Sequence, residues 1–307
     1  MPVTVPRSLE EAIAALGRHP GAEALAGGTD LMVEVNAGRR RPAAVVALGR
    51  VPELGGWRRE GDEVVLGAGL TYTGMMAPDL AGLLPALAQA ARTVGSPQIR
   101  NAGTLGGNLA TASPAGDTLP VLAALDATVV VAGTGGRRSV PMGSFVVGPK
   151  RTSLGPGELV VEVRVPLWSG PQEFLKVGTR NAMVISVASV ALAVDRRRHR
   201  VGCALGSVGP VPIRARDAED WVAGRVDWST GRLEGGGVGG EGVGVGEGEP
   251  GAAASAGEAC AVFGRLVAGA AVPIDDHRST AAYRRRAVEV CAGRALGRVL
   301  AGWEPGV

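Results

Sequence analysis

Residues Gly95 to Leu125 read GSPQIRNAGTLGGNLATASPAGDTLPVLAAL, and the rest of the chain is organised around this stretch. Gly95, Ser96 and Pro97 are poor helix formers, and Gly103, Gly106 and Gly107 cluster behind them. Ser113-Pro114 and Gly116-Asp117 follow before a plain apolar run, so the spacing predicts a long loop from Gly95 to Leu119. Clustered glycines let a backbone take positive φ and approach a ligand closely. Thr104, Asn108, Thr111, Ser113 and Asp117 add hydroxyl, amide and carboxylate groups. Such a loop can set backbone N–H groups along a phosphate. The same composition also describes an ordinary glycine-rich turn between a helix and a strand.

A second stretch has the same character. Leu25-Ala26-Gly27-Gly28-Thr29-Asp30-Leu31 runs from apolar residues through paired glycines to Thr and Asp. Two such loops in one chain suit one elongated ligand held at two places, and a dinucleotide with a central pyrophosphate has that shape. A turn between a strand and a helix also leaves free N–H groups where an anion is stabilised.

Ala26 to Leu31 and Asn101-Ala102-Gly103-Thr104-Leu105-Gly106-Gly107-Asn108 resemble the two FAD pyrophosphate motifs of the flavin-binding medium subunit of molybdenum hydroxylases, the xanthine dehydrogenase and aerobic carbon monoxide dehydrogenase relatives. Gly157-Glu158-Leu159-Val160, Lys176-Val177-Gly178-Thr179-Arg180 and the run from Asp276 to Arg284 also look like family landmarks, in the family's order. Each motif alone is weak; together they are specific and cover nearly the whole chain outside about 235–257.

The composition agrees with a globular protein. Of 307 residues, 46% are hydrophobic and 20% charged, which leaves room for two domains and a large core. The net charge is +3 with Lys and Arg scattered, so no nucleic-acid face is indicated. The N-terminal residues lack a basic region followed by an apolar core, so no signal peptide is expected. The longest apolar run, Met183 to Val194, falls short of the ~20 residues of a membrane span. Cys203, Cys260 and Cys291 lie too far apart for an iron–sulfur or four-cysteine zinc site and are expected to be reduced thiols of a cytoplasmic protein. No metal site is expected.

Along the chain, Ser8 with Glu11 reads as a capping box before a helix on Leu9, Ala12, Ile13 and Leu16. Ala22–Ala26 and Val45–Leu48 read as strands around a helix at Asp30–Gly38, giving a small α/β unit. Strands are expected at Glu63–Ala68, Ala127–Ala132 and Leu159–Val165, with one helix over Ala81–Thr93 and Glu162 and Arg164 on a solvated face. Three further strands are expected at Glu173–Thr179, Val184–Val194 and Arg200–Val208, then helices at Ile213–Val222, Ala252–Ala268 and Ser279–Leu300. In the last helix Arg284, Arg285, Arg294 and Arg298 mostly lie off the apolar face. Gly235 to Gly240 matches G-x-G-x-x-G literally, but no predicted strand precedes it, and it reads as a low-complexity insertion.

The fold class is therefore α+β. The resemblance implies an FAD-binding domain over 1–167, with subdomains 1–55 (parallel α/β) and 56–167 (antiparallel sheet with helices). It implies a C-terminal domain over 168–307 that pairs a three-stranded sheet with a helical bundle. Leu25, Ala26, Gly27, Gly28, Thr29, Asp30 and Leu31, with Thr104, Gly106, Gly107, Asn108 and Thr111, would hold the pyrophosphate and ribityl chain. A bulky side chain at Gly107 should then abolish flavin retention. Asp117 is an acceptor for ribose or adenine, or else a turn aspartate before Pro120. Val160 and Lys176 fall near the cofactor by family position, although Lys176 also reads as an exposed strand lysine. Ala182-Met183-Val184-Ile185 is aliphatic where some relatives carry an aromatic or charged residue, which leaves the electron acceptor open.

No side-chain nucleophile with its base is evident, which suits a protein whose reactive centre is a bound cofactor. The function implied is an oxidoreductase subunit carrying FAD. Electrons would arrive from a molybdenum cofactor on a large subunit through [2Fe-2S] clusters on a small one, in a heterotrimer or a dimer of heterotrimers. A stand-alone FAD-dependent reductase or oxidase is the alternative.

Overall fold

Parallel strands need crossover connections, and the first unit supplies them with two helices. The computed structural model describes residues 2–19, 21–233 and 256–303. β1 (Val3–Thr4), α1 (Leu9–Arg18), β2 (Ala22–Leu25), α2 (Leu31–Asn36) and β3 (Ala44–Ala47) build a three-stranded parallel sheet in the order β1-β3-β2. The Ser8 hydroxyl accepts from the Glu11 N–H at 3.1 Å, the cap that the sequence predicts. α1 turns Leu9, Ala12, Ala15 and Leu16 into the core.

The second unit is an antiparallel sheet with a helical insert. β4 (Trp57–Glu60) and β5 (Glu63–Gly67) form a hairpin, and six short helices follow before the sheet resumes. These are α3 (Tyr72–Met75), α4 (Pro78–Leu83), α5 (Pro85–Thr93), α6 (Pro97–Ala102), α7 (Leu105–Thr111) and α8 (Thr118–Ala124). The expected single helix over Ala81–Thr93 is two, because Pro85 starts a new one. Proline lacks the N–H that would continue α4 and disfavours helical geometry at Leu84, which sits at φ −130° and ψ 64°. The expected Gly95–Leu119 loop is also largely helical. Ser96 caps α6 with Pro97 in its first turn, and Thr104 caps α7.

β6 (Thr128–Gly133), β7 (Gly136–Pro141), α9 (Met142–Phe145), the small hairpin β8 (Val146–Gly148) and β9 (Arg151–Thr152), and β10 (Leu159–Pro166) complete this unit. Its sheet order is β4-β5-β10-β6-β7. The register of β10 against β6 shifts between Val160 and Glu162. Glu162 is only 9% exposed, against the solvated face expected for it, because Arg58 (3.2 Å) and Arg164 (3.1 Å) pair with it.

β11 (Gln172–Val177), β12 (Ala188–Asp195), β13 (Arg200–Gly206) and β14 (Ile213–Arg214) form a four-stranded antiparallel sheet, one strand more than expected. Ile213 and Arg214 pair with β13, so the helix expected from Ile213 starts later, as α10 (Arg216–Ala223). Every residue of β12 is buried. Ala191 and Ala193 face the first core, while Val190, Leu192 and Val194 join a second core with α10, α11 (Ala256–Ala270) and α12 (Ala281–Ala301). No described helix is long and apolar enough to cross a membrane. The Gly235–Gly240 pattern lies outside the described residues.

Arg284 corrects the expected placement of the α12 arginines off the apolar face. It is 3% exposed, pairs with Asp276 at 2.6 Å, and donates to the carbonyls of Val187 (2.7 Å) and Ser207 (2.9 Å). One guanidinium thus ties α12 to the residues flanking both central strands, just before β12 and just after β13. Lysine keeps the charge but cannot fork to three acceptors. Arg284→Lys is expected to cost about 2 kcal/mol in urea unfolding, from one or two lost bonds to buried carbonyls. An unchanged midpoint would contradict that role.

Candidate functional site

The two glycine loops meet. A Cβ built on Gly27 would lie 1.9 Å from the Ala102 carbonyl oxygen, so the first loop touches the end of α6 backbone to backbone. Gly28 holds φ at +71°, which turns the chain from β2 into α2. The N–H groups of Gly27, Gly28, Thr29 and Asp30 have no acceptor among the described residues. Buried or crevice N–H groups find partners in nearly all proteins, so this row is a set of donors waiting for an anion.

The second loop spends its own donors on the fold. Leu105 N–H bonds to Leu70 O (2.9 Å), Gly106 N–H to Ala68 O (2.7 Å), and Gly107 N–H to the Thr104 hydroxyl (3.1 Å). Gly106 packs against Ala68, where a Cβ would come within 2.7 Å of the Ala68 methyl. The second loop thus supplies shape, and the first supplies free N–H groups.

Two cavities open on either side of this junction. A polar one of about 460 Å³ takes in Leu25 to Leu31, Thr104, Gly107, Asn108 and Thr111. An apolar one of about 370 Å³ takes in Gly106 and Val160 and is walled by Leu48, Val51, Leu54 and Leu154. Both include Ala26, Gly27, Thr104 and Gly107, so they form one cleft pinched at the loops. Volumes of this order suit a cofactor-sized ligand. In the polar lobe Thr111 donates to Asp30 (3.3 Å), and Thr118 donates to Asn108 Oδ1 (2.6 Å). Lys150 and Arg40 flank Glu34 at the rim; the Lys150 bond and charge hold its carboxyl below the usual range.

Asp117 and Lys176 stand apart from the cleft lining. They form a buried ion pair at 2.5 Å, with side chains 5% and 7% exposed, so Lys176 is not an exposed strand lysine. Lys176 also donates to the Thr93 carbonyl (3.2 Å), and the Thr93 hydroxyl donates to Asp117 (3.1 Å). Asp117 Oδ1 has no hydrogen-bond partner among the described residues. Burial pushes the Asp117 carboxyl up, against the pull of Lys176 and Thr93. Lys176 also borders a cavity of about 720 Å³ with Arg92, Arg100 and Arg180. The pair lies near the polar lobe, since the charges of both Asp30 and Asp117 act on the same buried phenol, Tyr72.

Sequence reasoning missed Tyr72, Lys150 and the aliphatic wall of the apolar lobe. Tyr72 carried no motif; it reaches the cleft because its N–H bonds to the Gly103 carbonyl (3.1 Å). No group of three or more metal-ligating side chains occurs among the described residues.

The orphan N–H row, the close loop contact and the paired lobes fit FAD: donors for a pyrophosphate, with a ring-sized space on each side. Comparison with known proteins agrees. Residues 1–168 match the family described as the FAD binding domain in molybdopterin dehydrogenase. The carbon monoxide dehydrogenase medium chain of Hydrogenophaga pseudoflava is 33% identical over 227 residues, 72% of this chain and 79% of that one. The xanthine dehydrogenase FAD-binding subunit of Escherichia coli O157:H7 is 31% identical over 222 residues, 69% of this chain and 75% of that one. A chain of the solved carbon monoxide dehydrogenase from Hydrogenophaga pseudoflava superposes with a TM-score of 0.81 at 28% identity, covering 99% of this chain and 98% of that one. The chain therefore belongs to the FAD-binding medium subunits of the molybdenum hydroxylase family, flavoprotein components of oxidoreductases.

Proposed function

We propose that this chain is the electron-transfer subunit of a multi-subunit molybdenum hydroxylase. It holds FAD between a small iron–sulfur subunit and an electron acceptor, with the molybdenum cofactor on a large subunit, in a dimer of heterotrimers in the cytoplasm. Residues 1–167 form the FAD domain and 168–307 the C-terminal domain, a division supported by the second hydrophobic core, which lies wholly within 168–307. Bound FAD supplies the redox chemistry.

The chain's own residues bind and orient. The free N–H groups of Gly27 to Asp30 donate to the pyrophosphate, helped by the Thr29 hydroxyl. The apolar lobe around Leu48, Leu54 and Val160 encloses the adenine, excluding water from a flat ring. Asn108 and Thr111 face the ribityl chain, and the flavin ring lies toward the polar lobe, with Asp117 and Lys176 behind it. The observation that carries this reading is the row of unpartnered N–H groups at the only point where both lobes and both loops meet among the described residues.

The test is an absorption spectrum of the purified chain, with the released cofactor identified by chromatography. The expected result is FAD near one per chain, with no iron and no molybdenum. No flavin even in the co-expressed complex would overturn the site. Steady substrate turnover by the isolated chain would favour a stand-alone reductase or oxidase instead.

A further inference from the structure

Tyr72 opens α3 and is the one aromatic residue lining the polar lobe among the described residues. It is 5% exposed, and its ring lies against Gly103, where a Cβ would come within 2.7 Å of it. Its hydroxyl is under the influence of Asn108, which lines the same lobe. Thr118, fully buried, donates its hydroxyl proton to Asn108 Oδ1 at 2.6 Å. That bond occupies the carbonyl end of the amide and leaves its NH2 end as the donor that favours the Tyr72 phenolate, against the stronger pull of burial. A phenol has one proton to give, and Asn108, with its NH2 end turned donor, cannot take it. No hydrogen bond donated by this phenol occurs among the described residues, and the lobe it lines is open to it. Burial, reinforced by the charges of Asp30 and Asp117, pushes the phenol up and keeps it a donor at physiological pH.

We infer that Tyr72 is a ligand-binding residue outside both glycine motifs: its O–H donates into the polar lobe, to an acceptor on the ribityl–flavin half of FAD, and Asn108 and Thr118 are the positioning residues that aim it. The inference rests on the FAD reading of the cleft. It also gives the fully buried Thr118 hydroxyl a purpose, since reversing the amide would put two donors against each other and release the phenol from its orientation.

The test uses the full chain stripped of flavin and titrated with FAD and, separately, with ADP. Tyr72→Phe removes only the hydroxyl. FAD is expected to bind about tenfold more weakly, the value of one well-placed hydrogen bond, while ADP binds as to the wild type. Thr118→Val is expected to weaken FAD about threefold alone and to add nothing on top of Tyr72→Phe, because both act through one bond. The thermal midpoint of the apoprotein should fall by no more than about 2–4 °C with Tyr72→Phe, the cost of the one interaction with Asn108 that it loses. Equal FAD affinity of wild type and Tyr72→Phe would overturn the inference, as would equal weakening of FAD and ADP. Full additivity in the double variant would remove the positioning role of Thr118. A wild-type chain that binds neither ligand would overturn the reading of the cleft itself, and is told apart because it needs no variant.

Discussion

Gly27→Ala is expected to give a folded chain that retains less than a tenth of its FAD and is less stable by about 3 kcal/mol, the upper range for forced overpacking. The added methyl would sit 1.9 Å from the Ala102 oxygen and 2.5 Å from its carbonyl carbon. Neither atom belongs to a side chain that can rotate away, so the loops must part. Parting them by even an ångström displaces the free N–H groups from the Thr104–Gly107 wall that shapes the other side of the pinch. Gly82→Ala is the control, since a Cβ there meets nothing within 4 Å and alanine favours the helix. Gly107 presents a milder case than the sequence implies. Its Cβ meets only the Thr104 hydroxyl, at 3.0 Å, so a bulky side chain there acts by dislodging the α7 cap. Flavin content and urea unfolding of the purified variants measure both effects. Stoichiometric FAD in a folded Gly27→Ala chain would refute the pinch as the pyrophosphate site.

The sequence exposed what depends on neighbours along the chain. The Ser8 cap is a pattern of adjacent residues, and so is the strand–glycine–helix succession at Leu25 to Leu31. The same local logic failed over Gly95–Leu119, where glycine count outweighed the caps Ser96 and Thr104. Glycine is tolerated inside α7 because Gly106 must pack against Ala68 without a side chain between them. Long-range pairs left no local trace. Arg284 gains its partners from segments 77 and 97 residues away, and periodicity alone puts an arginine outside. Tyr72 is tied to the cleft by its N–H bond to Gly103, 31 positions along the chain. Asp117 and Lys176 are 59 residues apart, so neither reading available for each alone included the other.

That buried pair makes the second large prediction. Lys176→Met is expected to destabilise the apoprotein by about 3–5 kcal/mol at pH 8, the cost of leaving one buried charge without its partner. Asp117 is poorly placed to absorb the loss, because Oδ1 already lacks a partner and only the Thr93 hydroxyl would remain on Oδ2. The sign of the pH dependence follows from the raised carboxyl. Its ordinary value is 3.8, and burial lifts it in the folded chain. A raised folded value means that the folded state binds its proton more tightly than the unfolded state, so ionisation costs stability as pH rises through the folded value. Removing the ammonium takes away a charge that lowers it, and the folded value rises further. The deficit of Lys176→Met is therefore full above that value and shrinks as pH falls toward 3.8, where Asp117 is neutral in both chains. Adding Asp117→Asn should recover most of the loss at pH 8, since an amide needs no counter-ion. Urea midpoints at pH 8 and pH 5, on chains freed of FAD so that ligand binding does not add its own stabilisation, decide the matter. A deficit equal at both pH values, or a double variant no more stable than Lys176→Met alone, would mean that the loss comes from packing around the lysine stem and not from the stranded carboxylate.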